Sequence, residues 1–147
     1  MIRRNSPLVE RLIREAGSWP GVTVGDHRFG GTEFLVASRE IGHVHGWGML
    51  DVNFLRRLRD VLVDADLTGV HHLLTDSGWT TFMLRTEADY DRARWLLRLS
   101  YLYQVSVLQK RADGTEPYAA VDVAAELRKL DPPEAVRAAF ERRSAPA

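Results

Sequence analysis

The sequence predicts an α+β fold, a two-layer sandwich in which helices pack on one face of an antiparallel sheet. Three observations predict it. Strand-like stretches fall in groups rather than alternating one by one with helices, and the helical stretches are amphipathic, with a single apolar face. At 147 residues and 45% hydrophobic composition, the chain is long enough for one compact core and too short for two.

Each element has a local justification. Ser6 and Pro7 read as cap and first residue of a helix with Leu8, Val9, Leu12, Ile13 and Ala16 on one face and Gly17 as its stop. "WPGVTVGD" supplies a turn and a brief strand. "FGGTEFLVASREIGHVHGWG" supplies two more strands, broken near Ala37 to Arg39, and the glycines at 30 and 31 suit a tight connection. Asn53 is expected to cap a second helix in which Phe54, Leu55, Leu58, Val61 and Leu62 recur at helical spacing, ending near Asp66 to Gly69. "VHHLL" and "WTTFMLR" read as a hairpin around "TDSG", and from Glu87 a long helix carries "YDRARWLLRLSYLYQVSV" up to "RADGTEP". The expected order is helix, three strands, helix, two strands, helix, within a domain of residues 1–110. Residues 111–147 add helical segments at "VDVAAELRKL" and "PPEAVRAAFERR". They are joined through Asp131, Pro132 and Pro133 and either dock on the same domain or pair with a second copy as a homodimer, before a frayed "RRSAPA" end.

Composition narrows the function classes. Twenty basic residues balance twenty acidic ones, so no overall field holds nucleic acid or an anionic membrane. The basic runs "RRLR" at 56–59 and "RARWLLR" at 92–98 read as solvated helix faces. With no cysteine there is neither a disulfide nor thiolate chemistry. The start, "MIRRNSPLVERLIREAG", lacks the apolar run of a signal peptide, and no stretch approaches the ~20 apolar residues of a membrane span. A cytoplasmic protein is the expectation.

The chemistry must come from "REIGHVHGWG". Strand alternation puts Ile41, His43, His45 and Trp47 on one face and Glu40, Gly42, Val44 and Gly46 on the other, where the glycines allow close approach of a backbone or a flat ligand. His71 and His72 point to opposite faces of their strand, so one of them can join the pair, and Asp76 lies in the following turn. Three readings stay open. The histidines are solvated or internally satisfied. Alternatively His43, His45 and His71 hold a metal, with Asp76 or Glu40 in support. In the third reading, neutral imidazoles act as general base and hydrogen-bond donors to an acidic small molecule. Arg39 would then stabilise the anion, and Trp47 would wall the pocket. Trp79 shares a strand side with Thr81. Glu40 reaches the histidines only if a bulge brings it round.

"FGGTEF", "REIGHVHG", the "HHLLTDSGW" turn and the "LLRLSYLY" helix together resemble the luciferase-domain family of small bacterial and fungal proteins, over roughly residues 20–104. The family is named after the luciferase of luminous fungi, which oxygenates a hydroxylated styrylpyrone without a recognised metal or organic cofactor. The resemblance implies a luciferase-like domain in residues 1–110 with a small-molecule ligand, no cofactor, and an oxygenase-like reaction on an acidic enol or pyrone. Arg39, Glu40, His43, His45, His71, Asp76 and Trp79 match the family's recurrent places. Of these, His43, His45, His71 and Asp76 are read as catalytic and Arg39, Glu40 and Trp79 as substrate-binding, and Trp47 joins the substrate-binding set from its place beside the histidines. Thr75 departs from the proline usual before "DSGW", and no counterpart of the membrane anchor that precedes the fungal enzyme is expected. The order of elements is also similar to a small bacterial double-wing family of DNA-binding type, which makes a non-enzymatic ligand-binding or DNA-binding module the alternative.

Overall fold

A computed structural model describes residues 5–27, 30–111 and 113–142, so most of the expected frayed end lies outside the described residues. Helix α1 (Pro7–Gly17) begins where the Ser6 hydroxyl accepts the Val9 N–H, and it buries Val9, Leu12 and Ala16. Strands β1 (Val22–His27), β2 (Gly31–Val36), β3 (Arg39–Val44) and β4 (Met49–Asn53) follow as a meander. Next come α2 (Arg56–Asp64), β5 (Gly69–Val70), β6 (Trp79–Met83), α3 (Glu87–Gln109), α4 (Val123–Leu130) and α5 (Glu134–Glu141). The six strands form one antiparallel sheet in the order β1-β2-β3-β4-β6-β5. The long helix α3 crosses β2, β3, β4 and β6, while α1 packs on β1 and β2 and α2 packs on β6. The chain is thus an α+β sandwich with its helices on one face. Helices α4 and α5 pack on α3 and α2, with the Trp95 indole donating to the Leu130 carbonyl.

Three expectations change. Strand β4 is absent from the sequence reading, and Asn53 belongs to it rather than capping α2, which starts after Leu55 with no side-chain cap. The second hairpin is real but short on one side. Strand β5 stops at Val70, so His71 and His72 lie in the loop that leads to β6. Finally, β3 ends at Val44. His45 to Gly48 make a tight turn closed by hydrogen bonds from His45 N–H to the Met49 carbonyl and from Gly48 N–H to the His45 carbonyl. Gly48 has φ +111, and a Cβ there would lie 2.2 Å from the Leu84 carbonyl oxygen, so glycine is required.

The feature that positions everything else is a bulge in β3. Leu35 pairs with Glu40 and Phe34 pairs with Gly42, so Ile41 is an extra residue and two residues oppose Phe34. Ile41 is fully buried in the core, and a Cβ on Gly42 would lie 3.0 Å from Leu97 of α3 and 2.7 Å from the Asp51 carbonyl oxygen. Both bulge residues therefore face the helices, and Glu40 and His43 are turned together to the opposite face. The backbone freed by the bulge is recaptured. The buried Ser100 hydroxyl of α3 lies 3.1 Å from the Ile41 carbonyl oxygen and 2.5 Å from that of Asn53, and the Asn53 amide donates to the Glu40 carbonyl at 3.2 Å. Removing the hydroxyl strands buried carbonyls. Ser100→Ala is expected to lower the unfolding free energy by about 1–3 kcal/mol in a urea titration. An unchanged midpoint would show that the bulge does not need this anchor.

Candidate functional site

The helix-free face of the sheet gathers all five histidines of the chain with two carboxylates. Glu33, His43, Asp51 and Thr81 stand directly opposite one another on neighbouring strands, which sets His43 and Asp51 at the centre of a polar row. Strand β1 brings His27, the bulge brings Glu40, the β3–β4 turn brings His45, and the loop after β5 brings His71 and His72.

Asp51 is the hub, with 1% of its surface exposed. Its Oδ2 lies 2.9 Å from His43 Nε2 and 3.4 Å from His71 Nε2, and its Oδ1 accepts the Thr81 hydroxyl at 2.7 Å. His72 Nδ1 is 3.8 Å from the same Oδ1. Burial pushes the Asp51 carboxyl up, but the hydrogen bonds from His43 and Thr81 outweigh it and hold the carboxyl below its ordinary value.

His43 faces a carboxylate at each end, since its Nδ1 lies 2.8 Å from Glu40 Oε2. An imidazole can donate from both nitrogens only as the imidazolium. Burial opposes that charge, yet the hydrogen bonds to Asp51 and Glu40 prevail and push the His43 pKa up to about 9. The His27 ring lies parallel to His43 at 3.9 Å, with its Nε2 3.8 Å from Glu40 Oε1.

His71 is fixed differently. Its Nδ1 accepts the backbone N–H groups of Leu73 and Leu74 at 3.0 and 2.9 Å, so its ring proton sits on Nε2, toward Asp51. Burial, only partly offset by the Asp51 charge, pushes its pKa down. His45 is also pushed down, by burial and by the charge of His43. Its ring stands edge-on to His43 at 5.8 Å and lies near the face of Trp47 at 5.9 Å. Trp79 completes the inner wall, 5.3 Å from His43 and 6.2 Å from His71. At the rim, Trp47, Leu73 and Leu74 are each more than half exposed.

The structure thus brings His43, His45, His71, Trp47 and Trp79 together as expected, and the bulge supplies the condition under which Glu40 joins them. Four corrections follow. Ile41 is in the core, not beside His43, because the bulge breaks the alternation. His71 and His72 both reach Asp51, their rings stacked at 4.2 Å, because they lie past the strand end where alternation no longer applies. Asp76 is an exposed partner of Arg56 on the surface rather than part of the cluster. Arg39 reaches the helix layer, donating to the Gln104 side-chain Oε1 at 3.4 Å, instead of the histidines. Asp51 and His27 join the cluster in addition to the residues expected from the sequence. A carboxylate in mid-strand, in "MLDVN", is the signal that marks Asp51, because strands disfavour aspartate unless something binds it. No local signal marks His27.

Three overlapping sets bring ligand atoms within 4.8 Å of one another: His27, Glu40 and His43; His43, His45 and Asp51; and Asp51, His71 and His72. The arginines of the two basic runs are engaged elsewhere. Arg57 donates to the carbonyls of Ala139 and Arg142, Arg59 pairs with Asp60, Arg92 donates to the Leu67 carbonyl, Arg94 pairs with Glu15 and Arg98 with Glu126. Among the described residues, no helix is long and apolar enough to cross a membrane.

Comparison with known proteins bears on the same residues. Neither the curated proteins nor the solved structures yield a match. The family model described as Luciferase domain matches residues 38–100, from the start of β3 to Ser100 of α3. That span holds Glu40, His43, His45, Asp51, His71, His72, Trp79 and Thr81 and leaves out His27. Over residues 38–100 the chain is similar to the luciferase-domain family.

Proposed function

We propose that the open sheet face binds a small acidic organic molecule, an enol or a related hydroxylated ring, and takes up its proton on an imidazole. The observation that carries this reading is the convergence of five histidines, Glu40 and Asp51 on the one sheet face without helices. Hydrogen bonding divides the roles. His43, clamped by two carboxylates, cannot accept a further proton and acts as a fixed positive charge beside a developing enolate. His71 is locked with its proton on Nε2. His45, partly exposed, and His72, exposed, are the imidazoles at the mouth and serve as the proton acceptor. Trp47 beside His45 supports the flat body of the ligand.

In the oxygenase form of this reading, loss of the proton leaves an electron pair on the enolate carbon. That pair forms the carbon–oxygen bond to dioxygen, and return of the proton gives a hydroperoxide. Nucleic acid has no place in it, because the arginines of both basic runs are spoken for and the net charge is zero.

Two measurements test the proposal. In a thermal-shift screen of hydroxylated pyrones, catechols and related enols, a ligand at about 100 times its Kd should add about 2.7 kcal/mol to stability, or roughly 5–10 °C in Tm. His45→Gln should keep the fold, by circular dichroism, and lose the shift. If no enol shifts the wild type and His45→Gln melts several degrees earlier, His45 is architecture and the reading is wrong. Binding to random duplex DNA at physiological salt should be weak, since few phosphates could be neutralised. Tight binding that falls steeply with salt would favour the DNA-binding alternative.

A further inference from the structure

We propose that His43, His45 and Asp51 form a binding site for one divalent transition ion of the zinc, cobalt or iron(II) type. This rests on the reading of the open face as the functional site and adds a cofactor to it. The ligand atoms of these three residues lie within 4.8 Å of one another, and His43 Nε2 is 2.9 Å from Asp51 Oδ2. The two rings meet edge to face at 88° instead of stacking. Imidazole and carboxylate together suit a borderline ion, and calcium or magnesium would prefer oxygen alone.

The groups behind the ligands are arranged as an ion needs them. Metal-binding imidazoles donate their second ring N–H to a carboxylate or carbonyl, which fixes the tautomer. His43 Nδ1 does so to Glu40 at 2.8 Å, leaving Nε2 toward Asp51. Thr81 occupies Asp51 Oδ1 at 2.7 Å and leaves Oδ2 as the ligand atom. The two carboxylates that hold a proton on His43 also favour a cation at its other nitrogen.

The other two sets fit less well. His27 and His43 are nearly parallel, at 11°, so their lone pairs run side by side. An ion at His43 displaces the Nε2 proton and leaves the other on Nδ1, facing Glu40, whereas His71 Nδ1 accepts two backbone N–H groups, so ligation through Nε2 would strip that ring of its single proton. Asp51 therefore takes the third place, which neither His71 nor Asp76 can fill. Two nitrogens and one oxygen leave coordination positions open toward the mouth, beside Trp47. There the ion would bind the oxygen of an enol and polarise it, with His72 left as the proton acceptor.

The test uses untagged full-length protein stripped with a chelator. Titration with Co²⁺, followed by visible absorption and calorimetry, is expected to saturate at one ion per chain, with Mg²⁺ giving no response. His45→Ala should abolish the binding. Glu40→Gln should weaken it about 10- to 100-fold with unchanged stoichiometry. Asp76→Ala should bind as the wild type does. If His45→Ala fails to fold, Glu40→Gln decides. Equal cobalt affinity in the wild type and a folded His45→Ala or Glu40→Gln variant, or a wild-type spectrum identical to cobalt in buffer, would overturn the site. Metal-free protein that binds an enol but no cobalt sinks the ion and keeps the proposed function. Protein that binds cobalt but no enol does the reverse.

Discussion

One extra residue in β3 decides what the open face presents. With Ile41 inserted opposite Phe34, Glu40 and His43 share the helix-free side while Ile41 and Gly42 meet α3. Without it, regular alternation would send Glu40 into the apolar layer, where an unpaired carboxylate costs several kcal/mol. The bulge persists because its loosened backbone has partners, Ser100 from α3 and Asn53 from β4. The helix layer thus reaches through the sheet to set the geometry of the histidines on its far side.

Asp51 makes that geometry a network rather than a collection. A carboxylate this deeply buried needs hydrogen bonds, and it draws them from β3, β6 and the loop after β5. His43 is held in turn by Glu40, and His71 by the backbone of Leu73 and Leu74. Removing one member leaves another buried group unsatisfied, so stability and site geometry are coupled. The same coupling keeps His43 charged and His71 neutral within a few ångströms of one carboxylate.

The apolar periodicity of α1 was legible in the sequence because that helix buries one continuous face, and β2 because Phe34 and Val36 alternate with less buried neighbours. Helix α3 and strand β3 were legible as elements only, since Leu99 to Leu102 are buried all round α3 and the bulge breaks the alternation of β3. The histidines of "GHVHG" and "VHHLL" were legible as candidate site residues by type. Their mutual placement was not, for physical reasons. Strand β4 is five residues long with Asp51 at its centre and Asn53 at its end, residue types that strands disfavour, so its pattern resembles a loop and a helix cap. A bulge is an interruption of period two that only the partner strand reveals. Asp76 looked chemical by adjacency to "HHLL", yet the loop turns it toward Arg56 and solvent. His27 lies two strands from His43, so their stacking needs the irregular β2–β3 register as well as the β1–β2 hairpin.

Asp51 and Glu40 hold His43 doubly protonated while His71 stays neutral with its proton on Nε2. Long-range proton–nitrogen correlation spectra of the metal-free protein near pH 7 read both states from the ring-nitrogen shifts. The double clamp on His43 requires two protonated nitrogens on one imidazole, assigned to His43 by its loss in a His43→Gln sample, beside a single Nε2–H tautomer for His71. A neutral His43 that titrates with an ordinary histidine pKa would contradict it.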